Sequence, residues 1–510
     1  MSAQALSPAD RVRTTRRRYA ERVGSRSPGD AAYLAYLVVL VLAMVVIPLL
    51  IGLGRVLAQP EVLSALQSPR SDRVVHLIGG VFLAAAAALG LHRGPAHLPP
   101  VLVAILAGSD LPRSRTLGRP FARAALGVIL LVTVAGALVG TVLALEGNAE
   151  IPAAVALAGA AAGLGAIGAT MWLAGQRAGP RHGWMLPAAL LVATLLTQVQ
   201  PALAALTPWG WVAQVWPPSA SGPPWALLPL TLVALVCLER APRLLDLVPG
   251  TVLLDQARRW EIVSIAAFTG DFSAALATFR SRPRVGRRWR AVPGAAAPLQ
   301  YLVRDLVGAV RTPVRALTGV AFLTLGGLLF SLAGGGSALP PWILASLGAA
   351  TSFAALGTLT DGFRHAAATR WAPTLFGHRT GQLYLLHTAF PALVAVGCTL
   401  AGGLLARVVG WPADVLAALL PGLLLVAVRA FDSVKGPLPL TLLSPVPSPV
   451  GDLSGVVVLA WQADALLLSV ALGVGWMYAV TTVSALVALV GATLALGVVA
   501  ALTRGRLSVG

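Results

Sequence analysis

Few side chains in this sequence could do chemistry away from water. In its long apolar runs the polar groups that stand out are Asp464, flanked by Trp461 and Gln462, and His387, followed by Thr388 and Pro391. An ionised carboxylate at the centre of a bilayer costs about 3 kcal/mol or more. Asp464 is therefore expected to face a cavity, meet a partner or stay protonated, either as a substrate or gating contact or as a structural hydrogen bond inside a bundle; a run drawn differently would put it at the interface. His387 lies near the end of its run and reads as a packing or interfacial residue before a functional one. Asp464, Gln462, His387 and Thr388 form the candidate intramembrane polar site. Familiar catalytic spacings are missing. The only lysine, Lys435, lies in DSVKGPLP, where the proline rules out a phosphate loop, and HExxH, CxxC and GxSxG do not occur. His76, His92, His97, His182, His365, His378 and His387 include no pair four apart on one run. No catalytic, cofactor-binding or metal-binding residue is expected, and the chain reads as not an enzyme.

The elements that must position these groups follow from composition. Of 510 residues, 57% are hydrophobic and 11% charged, with mean hydropathy +0.80. A soluble chain carries about 25% charged residues, so a soluble enzyme and a coiled-coil scaffold are excluded, and disorder fails for the same reason. An all-α polytopic membrane protein remains. Cys237 and Cys398 lie in apolar runs, too few for a disulfide scaffold and without metal-ligand spacing. Runs long enough to cross about 30 Å of hydrocarbon occur at 33–54, 74–91, 122–145, 152–175, 184–206 and 222–238, then at 316–334, 340–359, 383–406, 413–429, 455–479 and 483–502. This predicts about 12 transmembrane helices in two six-helix repeats, with 98–108 as a short re-entrant or interfacial piece. The expected organisation is a basic cytoplasmic tail (1–32), a first membrane unit (33–238), a basic cytoplasmic linker with helices (239–315), a second membrane unit (316–502) and a cytoplasmic tail (503–510).

Charge orients the runs. With the N-terminus inside and the chain alternating, 34 of the 38 Lys and Arg residues fall on inner segments, leaving Arg55, Arg70, Arg73 and Arg407 outside. Both termini are thus expected in the cytoplasm of a multi-pass cell-membrane protein, and several tryptophans fall at predicted span ends. The net charge of +19 reads as a topology signal and as attraction to anionic inner-leaflet lipids, with no nucleic acid implied. Residues 10–24, DRVRTTRRRYAERVG, fit a basic surface helix offering Val12, Tyr19 and Val23 to lipid; a disordered anchor is the alternative.

The two sets of six share a layout. A basic stretch leads into each first run, and a loop follows each second run: HRGPAHLPPVLVAILAGSDLPRSRTLGRP at 92–120 and TDGFRHAAATRWAPTLFGHRTGQ at 360–382. Both loops end in a Leu/Phe-Gly-basic turn before the third run. In 239–315, Leu253, Ala257, Trp260 and Ser264 have helical spacing, Gly270 and Asp271 suit a helix end and a cap, and RSRPRVGRRWR at 280–290 is densely basic. Membrane apposition or partner docking would suit this interval.

On these features the chain resembles ABC-2 type exporter permeases, in particular duplicated six-span proteins of the roughly 500-residue actinobacterial kind. The resemblance implies surface helices at 10–24 and 301–315 and coupling loops at 104–120 and 360–380. Asp110, Arg113, Arg115 and Arg119 would serve the first loop, and Asp361, Arg364, Arg370 and Arg379 the second; taken singly, each of these reads as an inner-surface anchor before a coupling residue. It further implies a separate ATP-binding subunit as partner and a pseudo-dimer within one chain. A gradient-driven secondary transporter of 6+6 helix type has the same count, but the GxxxDRxGRR-like pattern is missing and carboxylates in the runs are scarce. A membrane scaffold or a lipid-linked glycan enzyme is the third reading; the enzyme would need acidic or histidine clusters that the sequence does not show.

Overall fold

In hydrocarbon every backbone amide must find its partner within the chain, and an apolar run does so as a helix. The computed structural model describes residues 8–23, 28–218, 224–268, 296–337, 339–369, 377–408, 410–436, 438–448 and 451–508, and between 268 and 296 only residues 278, 285–286, 288–292 and 294. The described chain is helical almost throughout; one two-residue antiparallel pair joins Pro447–Ser448 to Gly451–Asp452. Among the described residues, eight helices are long and apolar enough to cross a membrane, or nine if a bent pair is one span. The chain divides into two compact units, Met1–Ile265 and Ala266–Gly510.

The first unit runs α1 (Pro8–Val23), α2 (Ala32–Leu57), α3 (Pro60–Gln67), α4 (Ser71–His92), α5 (Pro100–Ala107), α6 (Arg113–Leu145), α7 (Ile151–His182), α8 (Met185–Val199), α9 (Pro208–Gln214), α10 (Leu227–Asp246) and α11 (Gly250–Phe268). Its long apolar helices are α2, α4, α6 and α7. α7 is the hub, packing against α4, α6 and α10. Gly90 and Gly175 make the α4–α7 approach close, since a Cβ at Gly175 would overlap the Ala87 carbonyl and one at Gly90 the Trp172 carbonyl. α2 touches α6 but buries none of its apolar window. α11 packs by Leu253 and Ala257 among Leu173 and Leu245, so this helix serves the first unit's own core. Gly270, Asp271 and most of the basic stretch 280–290 lie outside the described residues.

One expectation is corrected here. Val12 does not face lipid: it is buried against Leu102 and Leu106 of α5, with Tyr19 and Leu111 beside it. α5 leaves these two leucines needing cover, and the amphipathic face of α1 supplies it.

The second unit runs α12 (Ala297–Val310), α13 (Pro313–Gly334), α14 (Pro341–Leu356), α15 (Asp361–Ala368), α16 (Thr380–Val408), α17 (Leu419–Ser433), α18 (Ser454–Tyr478) and α19 (Ala485–Ser508). α13, α16, α18 and α19 belong to the long apolar set, while α14 and α15 are the pair bent by 59°. Leu323, Phe330, Leu356, Leu425 and Met477 centre its core.

Four of the twelve apolar runs fall outside that set: 340–359 is the bent pair, and the other three are α8, α10 and α17. α8 and α17 have 15 residues each, about 22 Å at 1.5 Å per residue, and α10 carries Glu239, Arg240, Arg243 and Asp246 in its last turns.

Candidate functional site

The last carbonyls of a helix have no partner inside it, and in both units side chains from elsewhere take them. At the end of α4, Gln256 Nε2 donates to the Gly90 carbonyl at 2.9 Å, Trp260 Nε1 to His92 at 3.0 Å and Trp172 Nε1 to Arg93 at 2.5 Å. Gln256 Oε1 in turn accepts from Gly94 N–H at 3.1 Å and from Gln176 Nε2 at 3.0 Å. The Arg93 guanidinium lies 4.7 Å from the Trp260 ring. Burial, and then the nearby Arg93 charge, push the imidazole of His97 below its ordinary range. The loop leading into α5 is therefore fixed along its length.

The start of α6 is held as firmly. Asp246 accepts from Ser114 N–H at 2.7 Å and from Ser114 Oγ at 3.1 Å, and Arg113 donates to the carbonyls of Asp246 and Val248. Further along, Pro120 has no amide hydrogen for the Thr116 carbonyl four residues before it. Arg16 of α1 donates Nη2 to that carbonyl at 2.7 Å. Of the four candidates in this loop, Arg113 is thus built into the fold, while Asp110, Arg115 and Arg119 are exposed.

In the second unit the break between α14 and α15 is braced by two arginines. Arg429 of α17 donates Nε to the Phe353 carbonyl at 2.8 Å and lies 3.5 Å from the Phe353 ring. Arg315 donates to the Gly357 carbonyl at 3.2 Å and grips Asp361, in the first turn of α15, at 2.5 and 2.9 Å. Arg364 meets the same carboxylate at 3.3 Å. The Gln382 side chain accepts from Arg379 N–H at 2.9 Å, which caps α16 and leaves the Arg379 side chain exposed. Arg370 lies outside the described residues.

The intramembrane candidates separate into two places. His387 Nδ1 meets Asp305 Oδ2 of α12 at 2.7 Å. The Tyr301 ring stands edge-on to His387 at 4.9 Å, and His365 of α15 lies 6.4 Å away. A cavity of about 230 Å³ beside them is lined by Arg304, Asp305, Thr358, Asp361 and His365. Thr388 returns its hydroxyl to the Tyr384 carbonyl at 2.8 Å, a helix-internal bond. Asp464 instead binds two cations: Lys435 on one oxygen and Arg506 on the other at 2.7 Å. Lys435 also donates to the Trp461 carbonyl and lies 4.4 Å from the Trp461 ring, while Arg506 sits 3.7 Å from the Phe431 ring. Gln462 is partly buried on the same helix. The Asp464 cluster therefore joins α17, α18 and α19, and its geometry is that of a charge clamp.

Sequence reasoning passed over Asp305, Arg315, Gln256 and Arg16. Only Arg16 had a local signal, the proline inside α6 that leaves a carbonyl unbonded. It also passed over a cavity of about 610 Å³ in the first unit, whose lining includes Asp72, Arg73, His76, Thr197 and Trp225. There the Thr197 hydroxyl donates to the Thr194 carbonyl at 2.7 Å, so His76 Nε2 donates to Thr197 Oγ1 at 2.6 Å. Among the described residues no group of His, Cys, Asp and Glu is arranged to hold a metal ion. Compared with protein-family models, curated proteins and solved structures, the chain matches none.

Proposed function

We propose that the chain is the membrane-spanning permease of an ABC-type exporter, powered by a separate ATP-binding subunit. The supporting observation is the pair of eight-residue helices, α5 and α15. Each follows the second apolar run of its unit, starts from a segment whose carbonyls or first turn are braced by side chains, and has exposed arginines nearby. A motor outside the bilayer can move spans only through an element too stiff to absorb the push, and the two braced short helices meet that need. On this reading the eight long apolar helices are joined by α8, α10, α14 and α17 to make twelve passes in two six-pass units, and α15 turns out of the bilayer at the 59° bend. Both termini lie in the cytoplasm, in accord with the distribution of arginines.

The test is capture of the ATP-binding subunit from native membranes by full-length protein carrying Arg115→Ala and Arg379→Ala, singly and together. Truncating a docked charge costs about 2 to 5 kcal/mol. The double variant should therefore reach normal membrane abundance and lose capture by at least about thirtyfold. Unchanged capture, or transport by the lone chain in liposomes under a proton or sodium gradient, overturns the proposal.

A further inference from the structure

Three arginines gather where α1 meets α6. Arg16 is fixed by its bond to the Thr116 carbonyl, 2.7 Å long, and its Nε is buried without a hydrogen-bond partner. Arg119 and Arg123 follow Thr116 by three and seven residues on α6, so all three share one face of that helix. Burial, then the charges of Arg119 and Arg123, hold the Arg16 guanidinium below its ordinary range. The groups therefore repel one another. Something anionic beside Arg119 and Arg123 would relieve that repulsion.

The sequence beyond them indicates which anion. Arg123 is the last charged residue before the uncharged stretch 124–145, so the cluster stands where hydrocarbon begins. Leu126 and Leu130 continue the Arg123 face at three and seven residues further, and both are more than half exposed. Seven residues of helix descend about 10 Å. A headgroup held at the arginines would thus lay an acyl chain over the two leucines.

We propose that Arg16, Arg119 and Arg123 bind the phosphate of an anionic phospholipid, with its acyl chain along Leu126 and Leu130. The lipid would act as the fourth member of the α1–α6 joint, countering the repulsion that the arginines impose on it. This site stands apart from the exporter proposal.

The experiment uses full-length protein in nanodiscs of phosphatidylcholine containing 10% phosphatidylglycerol brominated on its acyl chains. A Leu130→Trp variant reports nearby bromine by fluorescence quenching against the other tryptophans, with unbrominated discs as baseline. Quenching at position 130 should exceed that given by the same fraction of brominated phosphatidylcholine by at least about threefold. Adding Arg119→Gln and Arg123→Gln, both exposed positions, should remove the excess. Arg16→Gln should weaken it and raise proteolysis of α1. Equal quenching by the two lipids, or an excess unchanged by the arginine substitutions, overturns the site. Inorganic phosphate at millimolar concentration should leave the excess in place; its disappearance would make the site one for free phosphate and overturn the lipid assignment.

Discussion

His387 and Asp305 meet at 2.7 Å with side chains only 1% and 9% exposed, and they tie α12 to the long helix α16. A carboxylate only accepts, so the imidazole proton sits on Nδ1, and Nε2 is left without a hydrogen-bond partner among the described residues. Asp305→Asn keeps an acceptor at this place, whereas Asp305→Leu strands a buried donor, at a cost of about 1 to 3 kcal/mol. The leucine variant should melt several degrees below the asparagine variant in detergent. Equal melting temperatures would mean that the pair does not fasten α12.

Gly362 of α15 is the other half of this arrangement. A Cβ there would overlap His387 Nδ1 and lie 2.8 Å from Asp305 Oδ2. Both neighbours are held by each other, so neither can yield, and overpacking of this kind costs about 1 to 3 kcal/mol. Gly362→Ala should lower the melting temperature, and Gly362→Ala with His387→Ala should recover part of the loss. A double variant that melts below both single ones would place the strain elsewhere.

Asp464 answers two cations, so its removal leaves both without a counter-ion in a region of low polarity. Breaking a buried pair costs about 3 to 5 kcal/mol; Lys435 is nearly buried while Asp464 and Arg506 are about a quarter exposed, which scales the expected loss to about 2 kcal/mol. Asp464→Leu should destabilise by that amount. Asp464→Leu with Lys435→Met should lose less, because Arg506 keeps its contact with the Phe431 ring and can extend toward water. A double-mutant cycle on thermal unfolding measures the difference. Strict additivity would show that Lys435 and Asp464 do not interact.

The helical class and the need of Asp464 for a partner were legible because both depend on local pattern, apolar runs and one charge among them. The partners were not legible: Lys435 and Arg506 stand 29 and 42 positions from Asp464, and Asp305 stands 82 from His387. Apolar content also overstates some helices. The run 184–206 loses its helix at Gln200, because the residue before Pro201 is driven out of the helical region. The run 413–429 is helical only from Leu419, since Asp414 uses its carboxylate on the amides of Leu416 and Ala417 in a turn. The run 340–359 bends where Arg429 and Arg315 take the carbonyls of Phe353 and Gly357.

Asp452 gives a prediction in pH. It is exposed, and its carboxylate accepts from Val446 N–H at 2.8 Å, Ser454 N–H at 2.9 Å and Ser454 Oγ at 2.8 Å. These bonds favour the charged form, led by the two backbone amides, and hold its pKa below the usual carboxylate range. A folded-state pKa below the unfolded value stabilises fully above the unfolded value, about 3.9, and the stabilisation disappears as pH falls through the folded value. Residues 446–448 and 451–454, which hold the two-residue strand pair ahead of α18, should accordingly keep constant protection between pH 5 and 8 and lose it in stronger acid. Asp452→Asn removes the charge and one of the two accepting oxygens, so its segment should be less protected at neutral pH and insensitive to acid. Hydrogen exchange at the Val446 and Ser454 amides, corrected for the intrinsic pH dependence of exchange, reads both effects. Protection in the unsubstituted protein that stays flat down to pH 2.5, or an asparagine variant that loses protection in step with it, would remove the carboxylate as the group that holds this turn closed.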